Sequence, residues 1–466
     1  MSETALRTLA ACLTVLAYAG LCAAIYWRQR RQRAEHERMA RALAGGSAEA
    51  GGSGRAATLV LHASQTGQAE ELAWQTGRWL HASGTPARVL SLNDVDAELL
   101  RTAPQALFIA STYGEGDAPD GASVFAERVM GGAAAELSSL RYAVLALGDR
   151  QYANFCRFGR QLDDWLHAAG AVRSHARIEV DNAEPASLAA WQAQCGGGTA
   201  AAPTVPAPEA VALPWRLVSR RLLNEGSAGG PVYELAFAPA SPPPAGAAPE
   251  WESGDIAQLV LTSDPGRPRD YSIASVPADG QLELIVRQEQ HPDGTLGAAS
   301  GLLTASLDPG DTVALRLRPH RSFRLGDNRE RPLLLIGNGT GLAGLRSHLR
   351  SRAALGLHDN WLVFGERNAR HDFLCRDEIE AWQRSGVLAR IDLVFSRDQA
   401  ERRYVQHRLL QQHEQVRELL ARDGAMYVCG SLQGMASGVD AALRQIAGDT
   451  LMREMTSTGR YRRDVY

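Results

Sequence analysis

The 466-residue chain predicts a multidomain protein: a doubly wound α/β sheet, an antiparallel β-barrel, then a second parallel α/β unit, preceded by one transmembrane helix. Three observations predict this order. Apolar runs at 58–62, 106–110 and 142–147 each end in a loop rich in Gly, Ser, Thr or Asp, as strands of an open parallel sheet do. Short alternating runs separated by turn residues fill 216–317, the periodicity of a small antiparallel barrel. From 333 onward apolar strands alternate again with helical stretches. The expected divisions are an anchor at 1–34, a tether at 35–56, a first domain at 57–195, a linker at 196–213, the barrel at 214–330 and the last domain at 331–466.

From Leu9 to Trp27 no charge appears, and Tyr26 and Trp27 close the run before Arg28, Arg30, Arg31 and Arg33. Nineteen helical residues reach about 28 Å at ~1.5 Å each, close to the ~30 Å hydrocarbon layer. Aromatic residues followed by arginines read as an interface and a cytoplasmic flank. The expectation is a single pass through the inner membrane with the catalytic domains in the cytoplasm. A cleaved signal peptide is the weaker reading, because its basic residues would precede the apolar run. Glycines 45, 46, 51, 52 and 54 suit a flexible tether.

In the first domain, Thr58–His62 is followed by Ser64, Gln65, Thr66, Gly67, Gln68, Ala69 and Glu70, then a helix to about His81. Hydroxyls and backbone amides crowd that helix N-terminus, an arrangement that takes a phosphate. The strand at 106–110 runs into Ser111, Thr112, Tyr113 and Gly114, and the strand at 142–147 into Gly148, Asp149 and Tyr152. Tyr113 and Tyr152 can hold a flat ring between them. From Ala57 to Cys195 ten Arg face sixteen Asp and Glu, a balance that steers toward a basic partner surface. These three loops resemble flavodoxin and, more closely, the flavodoxin-like domain of the diflavin reductases. The resemblance implies FMN, with 64–69 on its phosphate, Tyr113 and Tyr152 beside the ring, and Asp149 and Asp181 near it.

The Gly-, Ala- and Pro-rich stretch 196–214 marks the domain boundary. On the barrel, Arg269, Asp270, Tyr271 and Ser272 combine a guanidinium, an aromatic ring and a hydroxyl. They can pair with a pyrophosphate, cover a flavin and hydrogen-bond its ring edge. Gly297, Ala298, Ala299 and Ser300 open a short helix that suits a second pyrophosphate cradle. The pair resembles the FAD site of ferredoxin-NADP reductases. Diflavin relatives often insert a helical connecting domain before the arginine motif, whereas only 238–250 is available here.

In the last domain, strand 333–336 enters Gly337, Asn338, Gly339, Thr340 and Gly341 before a helix. After the strand at 391–395 come Ser396, Arg397, Arg402, Tyr404 and Gln406, whose guanidinium and hydroxyl groups suit a 2′-phosphate and hence NADPH. Relatives usually have prolines where Asn338 and Gly344 stand and an acidic residue at Ser431. The resemblance further implies Cys429 and Asp464 beside the nicotinamide and Tyr466 over the FAD ring, with Ser272 completing the catalytic set.

Composition narrows the chemistry. All 49 basic residues are arginine, which excludes Schiff-base chemistry and the Walker lysine. The six cysteines show no metal-binding spacing, so no metal is expected. The resemblance covers about 58–466 and implies an NADPH-hemoprotein reductase. Hydride would pass from NADPH to FAD, and single electrons through FMN to a hemoprotein acceptor. The flavoprotein component of an assimilatory sulfite reductase is the alternative within the class, and a non-catalytic membrane scaffold the alternative outside it. No nucleic-acid partner is expected.

Overall fold

The computed structural model describes residues 57–65, 67–113, 116–132, 136–150, 154–181, 184–195, 212–241 and 250–466. Its first sheet is parallel. Strands β1 (Thr58–Ala63), β2 (Ala87–Ser91), β3 (Gln105–Ser111), β4 (Arg141–Gly148) and β5 (Val172–Arg173) lie in the order β2-β1-β3-β4-β5, with β6 (Ile178–Asp181) also on β4. The runs of β1, β3 and β4 are almost wholly buried, as strands covered on both faces must be. One face packs on α1 (Gln68–Ala82) and α4 (Pro185–Cys195), and the other on α2 (Ala97–Thr102) and α3 (Arg157–Ala168). Gly67 turns the chain into α1 with φ +89°, a conformation that favours glycine.

The second sheet contains β7 (Leu213–Leu222), β8 (Val232–Pro239), β9 (Ile256–Leu261), β10 (Asp264–Ser272), β11 (Leu282–Arg287) and β12 (Thr312–Arg318). Their order is β10-β9-β12-β7-β8-β11, and a bridge between Ile273 and Leu284 ties the two edge strands together into a barrel. Alternation fills its interior: Trp215, Leu217, Leu235, Phe237, Leu259, Leu284 and Leu315 form one buried cluster. A short helix, α5 (Ala298–Gly301), sits between β11 and β12.

The third sheet is parallel, ordered β15-β14-β13-β16-β17, from β13 (Leu333–Asn338), β14 (Asn360–Glu366), β15 (Arg390–Phe395), β16 (Ala425–Gly430) and β17 (Tyr461–Val465). Helix α6 (Leu342–Ala354) leaves the glycine loop after β13. The remaining helices are α7 (Arg376–Arg384), α8 (Val405–Gln411), α9 (His413–Ala421), α10 (Ser437–Ala447) and α11 (Asp449–Ser457). Gly341 lies so close to the Cys429 carbonyl on β16 that no Cβ fits there.

The expected architecture needs correction at its first element. The run proposed as an anchor, and the tether after it, lie outside the described residues. Among the described residues no helix is long and apolar enough to cross a membrane. The longest, α1, has 15 residues and spans about 22 Å, short of the ~30 Å hydrocarbon layer. Against the expectation of a transmembrane helix and of the inner-membrane placement built on it, the described residues thus supply no membrane-spanning helix.

Candidate active site

The last strand gathers the chemistry. Pairing beside β16 puts Cys429 opposite Asp464. Ser272, the final residue of β10, donates its hydroxyl to Asp464 Oδ2 at 2.7 Å, and the Cys429 thiol lies 3.7 Å from the same oxygen. All three side chains are buried. Burial first, then the Asp464 charge, pushes the Cys429 thiol well above its ordinary value, so the sulfur keeps its proton at neutral pH. Gly344 leaves room beside this cluster, since a Cβ there would stand 3.3 Å from the Cys429 sulfur. Tyr466 is half exposed, its amide donating to Gly430 O at 3.1 Å and its hydroxyl 3.2 Å from Thr340 Oγ1.

The phosphate loop of the first domain lies against the same strand. Gln65 O accepts from Ser322 Oγ at 2.8 Å and from His320 Nε2 at 3.1 Å, while Gln65 Nε2 donates to Arg463 O at 3.1 Å and Asp120 Oδ2 at 3.0 Å. The Arg463 guanidinium pairs with Asp120 and stands 5.5 Å from the Tyr113 ring centre. Burial alone would lower that guanidinium, but Asp120 together with the Tyr461 and Tyr113 hydroxyl groups outweighs it and the net direction is upward. His320 is fully buried, with Nδ1 3.9 Å from Asp464 Oδ1. Asp120, His320 and Ser322 carry no sequence signal: each is a single residue with a partner hundreds of positions away.

In the first domain, Ser64 Oγ accepts the Ala69 amide at 3.2 Å, and Gly67 and Gln68 open α1. Thr112, just past Ser111, and Tyr113 each bury a hydroxyl with no hydrogen-bond partner, so the cradle holds donors ready for a ligand. Gly148 pairs in register with Asp181, which accepts the Arg150 amide at 3.1 Å beside Asp149. Thr66, Gly114 and Tyr152 lie outside the described residues. Tyr113 packs among Tyr461, Val465 and Met435 of the last domain. These groups fit FMN: a 15-residue helix N-terminus, hydroxyls without partners and an aromatic face.

Arg269 and Tyr271 share one face of β10, while Ser272 faces Asp464 from the other. Burial pushes the Tyr271 hydroxyl up. Gly297, Ala298 and Ala299 lead into α5, where Ser300 Oγ accepts the Glu289 amide at 3.1 Å. On β12, on the far side of β9, Arg318 pairs with Asp270 but buries its Nε without a partner. Guanidinium groups beside an aromatic face fit FAD.

At the third site Gly339 adopts φ +54° in the loop that opens α6. Ser396 is buried at the end of β15. Arg397 and Arg402 are exposed and, among the described residues, their guanidinium groups have no hydrogen-bond or ion-pair partner. Tyr404 is exposed, and Gln406 buries an Oε1 that nothing satisfies. Two unpaired cations fit a 2′-phosphate, whereas the unsatisfied Gln406 oxygen is an acceptor and does not itself take one.

Two flavin-type sites and a nucleotide loop converging on one Ser–Asp–Cys cluster define a flavin-dependent oxidoreductase that draws on a nicotinamide coenzyme. Residues 60–191 match the family model for flavodoxin, and 335–441 that for the oxidoreductase NAD-binding domain. The chain is 28% identical to the sulfite reductase [NADPH] flavoprotein alpha-component of Bacillus subtilis, covering 87% of this chain and 89% of the relative. It is 27% identical to the protein of the same name from Vibrio cholerae serotype O1, over 87% of each. The Neisseria meningitidis serogroup B protein of that name is 28% identical over 87% and 89%. These matches support the diflavin reductase family, and the chain is an NADPH-dependent oxidoreductase whose cofactors are FMN, FAD and NADPH.

The alignment with the Bacillus subtilis protein is 540 positions long, yet 87% of this 466-residue chain is only about 405 residues. Roughly 135 positions of the relative therefore face a gap here. Between β8 and β9 this chain has only residues 240–255.

Proposed function

We propose that this chain is the flavoprotein component of an NADPH-dependent sulfite reductase, handing electrons to a separate hemoprotein component. The likeness over 87% of the chain to flavoproteins of that name carries the choice of acceptor over a general hemoprotein reductase. When bound, NADPH supplies a hydride, FAD accepts it, and FMN passes electrons on singly.

This chain's residues position those groups. The amides of Gly67 and Gln68 and the Ser64 hydroxyl, itself positioned by the Ala69 amide, would hold the FMN phosphate, with Tyr113 beside the ring and Asp149 and Asp181 at its rim. Arg269 and the Gly297–Ser300 turn hold the FAD pyrophosphate while Tyr271 covers the ring. Ser396, Arg397, Arg402, Tyr404 and Gln406 take the 2′-phosphate of NADPH, and Gly339, Thr340 and Gly341 its pyrophosphate. Ser272 keeps its proton on Oγ, aimed at Asp464 Oδ2. Asp464 orients that hydroxyl, and Cys429 supplies a neutral thiol against the same carboxylate. Tyr466 shields the ring until the coenzyme displaces it.

The test is reconstitution. The flavin-loaded chain is mixed with NADPH, sulfite and a purified sulfite-reducing hemoprotein, and sulfide is measured. Sulfide formation that requires all four components is expected. NADPH oxidation with artificial dyes but no sulfide would remove the acceptor assignment and leave the family membership intact. A protein that retains no flavin would favour the scaffold reading.

A further inference from the structure

Among the ion pairs that join the barrel to the last domain, that of Arg287 and Glu366 lies away from the Ser–Asp–Cys cluster, at the ends of two strands. Arg287 ends β11, and its guanidinium donates to Glu366 Oε1 at 2.9 Å and to Gly230 O at 3.1 Å. Glu366 ends β14, with its side chain only 5% exposed. Its other oxygen accepts the Arg367 amide at 2.9 Å, so both carboxylate oxygens are engaged. Arg287 Nη2 and Glu366 Oε1 lie 3.4 and 3.5 Å from where a Cβ on Gly339 would stand, which puts the pair directly over the glycine loop.

The position of Glu366 makes the pair informative. β14 flanks β13, the strand that feeds the glycine loop. Parallel sheets that bind a coenzyme without the extra phosphate carry, about twenty residues past that loop, a carboxylate that takes the ribose 2′-hydroxyl. Glu366 stands at such a place. Across β15 it is in register with Phe395, and its carbonyl accepts the Ser396 amide at 2.9 Å. The carboxylate is thus next door to Ser396 and Arg397, at the proposed 2′-phosphate site. Left unpaired, it would attract a 2′-hydroxyl and repel a 2′-phosphate.

We propose that Arg287 masks Glu366, so that a residue of the barrel domain, together with the 2′-phosphate arginines, sets the preference for NADPH over NADH. The inference rests on the reading of Ser396, Arg397 and Arg402 as the 2′-phosphate site. Its basis is a carboxylate where a 2′-hydroxyl acceptor belongs, already occupied by a guanidinium from another domain.

The experiment uses the full-length, flavin-loaded chain as wild type, Arg287→Ala, Glu366→Gln and the double variant. Dissociation constants for NADP⁺ and NAD⁺ are measured by titration calorimetry, with flavin content and melting temperature recorded for each. In Arg287→Ala the preference for NADP⁺ over NAD⁺ should fall by about tenfold or more. Glu366→Gln should change it by less than about threefold, and the double variant should recover most NADP⁺ affinity because no bare carboxylate remains. Equal weakening of both coenzymes by Arg287→Ala, with no recovery in the double variant, would show that Arg287 serves packing or the pyrophosphate and would overturn the proposal. Arg397→Ala run alongside separates the two levels. Selective loss of NADP⁺ there keeps the 2′-phosphate site even if the masking pair fails, and equal loss removes both.

Discussion

Asp120→Asn should loosen the first domain from the rest of the molecule without unfolding either part. The Asp120 and Arg463 side chains are 18% and 17% exposed, so the pair is largely shielded from water. Removing one partner of a buried pair costs ~3–5 kcal/mol. Partial exposure, and an amide oxygen that can still accept from Gln65, reduce this to about 1–3 kcal/mol. Both cores keep their contacts, so the loss falls on docking, whose equilibrium shifts by roughly 5- to 150-fold. Small-angle scattering of wild type and variant at matched flavin content reads the docking. Stopped-flow mixing with NADPH reads its consequence. The radius of gyration should rise and FMN reduction should slow, with FAD reduction near the wild-type rate. Unchanged scattering together with unchanged FMN reduction would refute the claim that this pair holds the phosphate loop against β17.

Three further outcomes follow. Arg397→Ala and Arg402→Ala should each lower kcat/KM for NADPH about tenfold or more while sparing NADH, since a charge-assisted contact contributes ~1.5–3 kcal/mol; steady-state assays with both coenzymes decide it. Deleting Tyr466 should raise NADH-driven turnover and narrow the coenzyme preference, because stacking of ~0.5–1.5 kcal/mol no longer opposes entry of the nicotinamide. An unchanged ratio with FAD fully bound would remove its shielding role. Because burial keeps Cys429 protonated, the folded protein should resist iodoacetamide at that thiol near pH 8, and alkylation should appear only on denaturation, as peptide mass mapping would show.

Much of the frame was legible because its signals are local. The apolar runs of β1, β3, β4 and β13 stand out by composition, and each ends in a loop whose glycines and hydroxyls mark a helix entry. β17 was not visible as a strand. Its sequence, Tyr-Arg-Arg-Asp-Val, has little strand character, and it is held in place by pairing along β16 from Met426 to Gly430. The His320–Gln65 and Asp120–Arg463 contacts join residues 255 and 343 positions apart, which no period or spacing reports. The apolar run from Leu9 to Trp27 pointed the other way: hydropathy there suggested a membrane-spanning helix that the described structure does not support.

The shortened connection and the direct docking fit one physical picture. With only residues 240–255 between β8 and β9, the phosphate loop rests on the 319–324 loop and on β17 themselves. Arg463, which grips Asp120, is the chain neighbour of Asp464, which orients Ser272. Docking and the proposed hydride site therefore share a single strand. Around it the contacts are mostly charged or hydrogen-bonded: Arg321 with Glu70 at 3.1 Å, Arg453 with Glu127 at 3.0 Å, and the Gln65 bonds, with Tyr113 as an apolar anchor. Polar contacts of this kind between domains of one chain separate readily. The two exposed pairs weaken with added salt, whereas the shielded Asp120–Arg463 pair is screened far less. Ionic strength should thus trim the charged rim of the interface first and leave the Gln65 hydrogen bonds and the Asp120–Arg463 pair, the one remaining ion pair of this set and the one that Asp120→Asn removes.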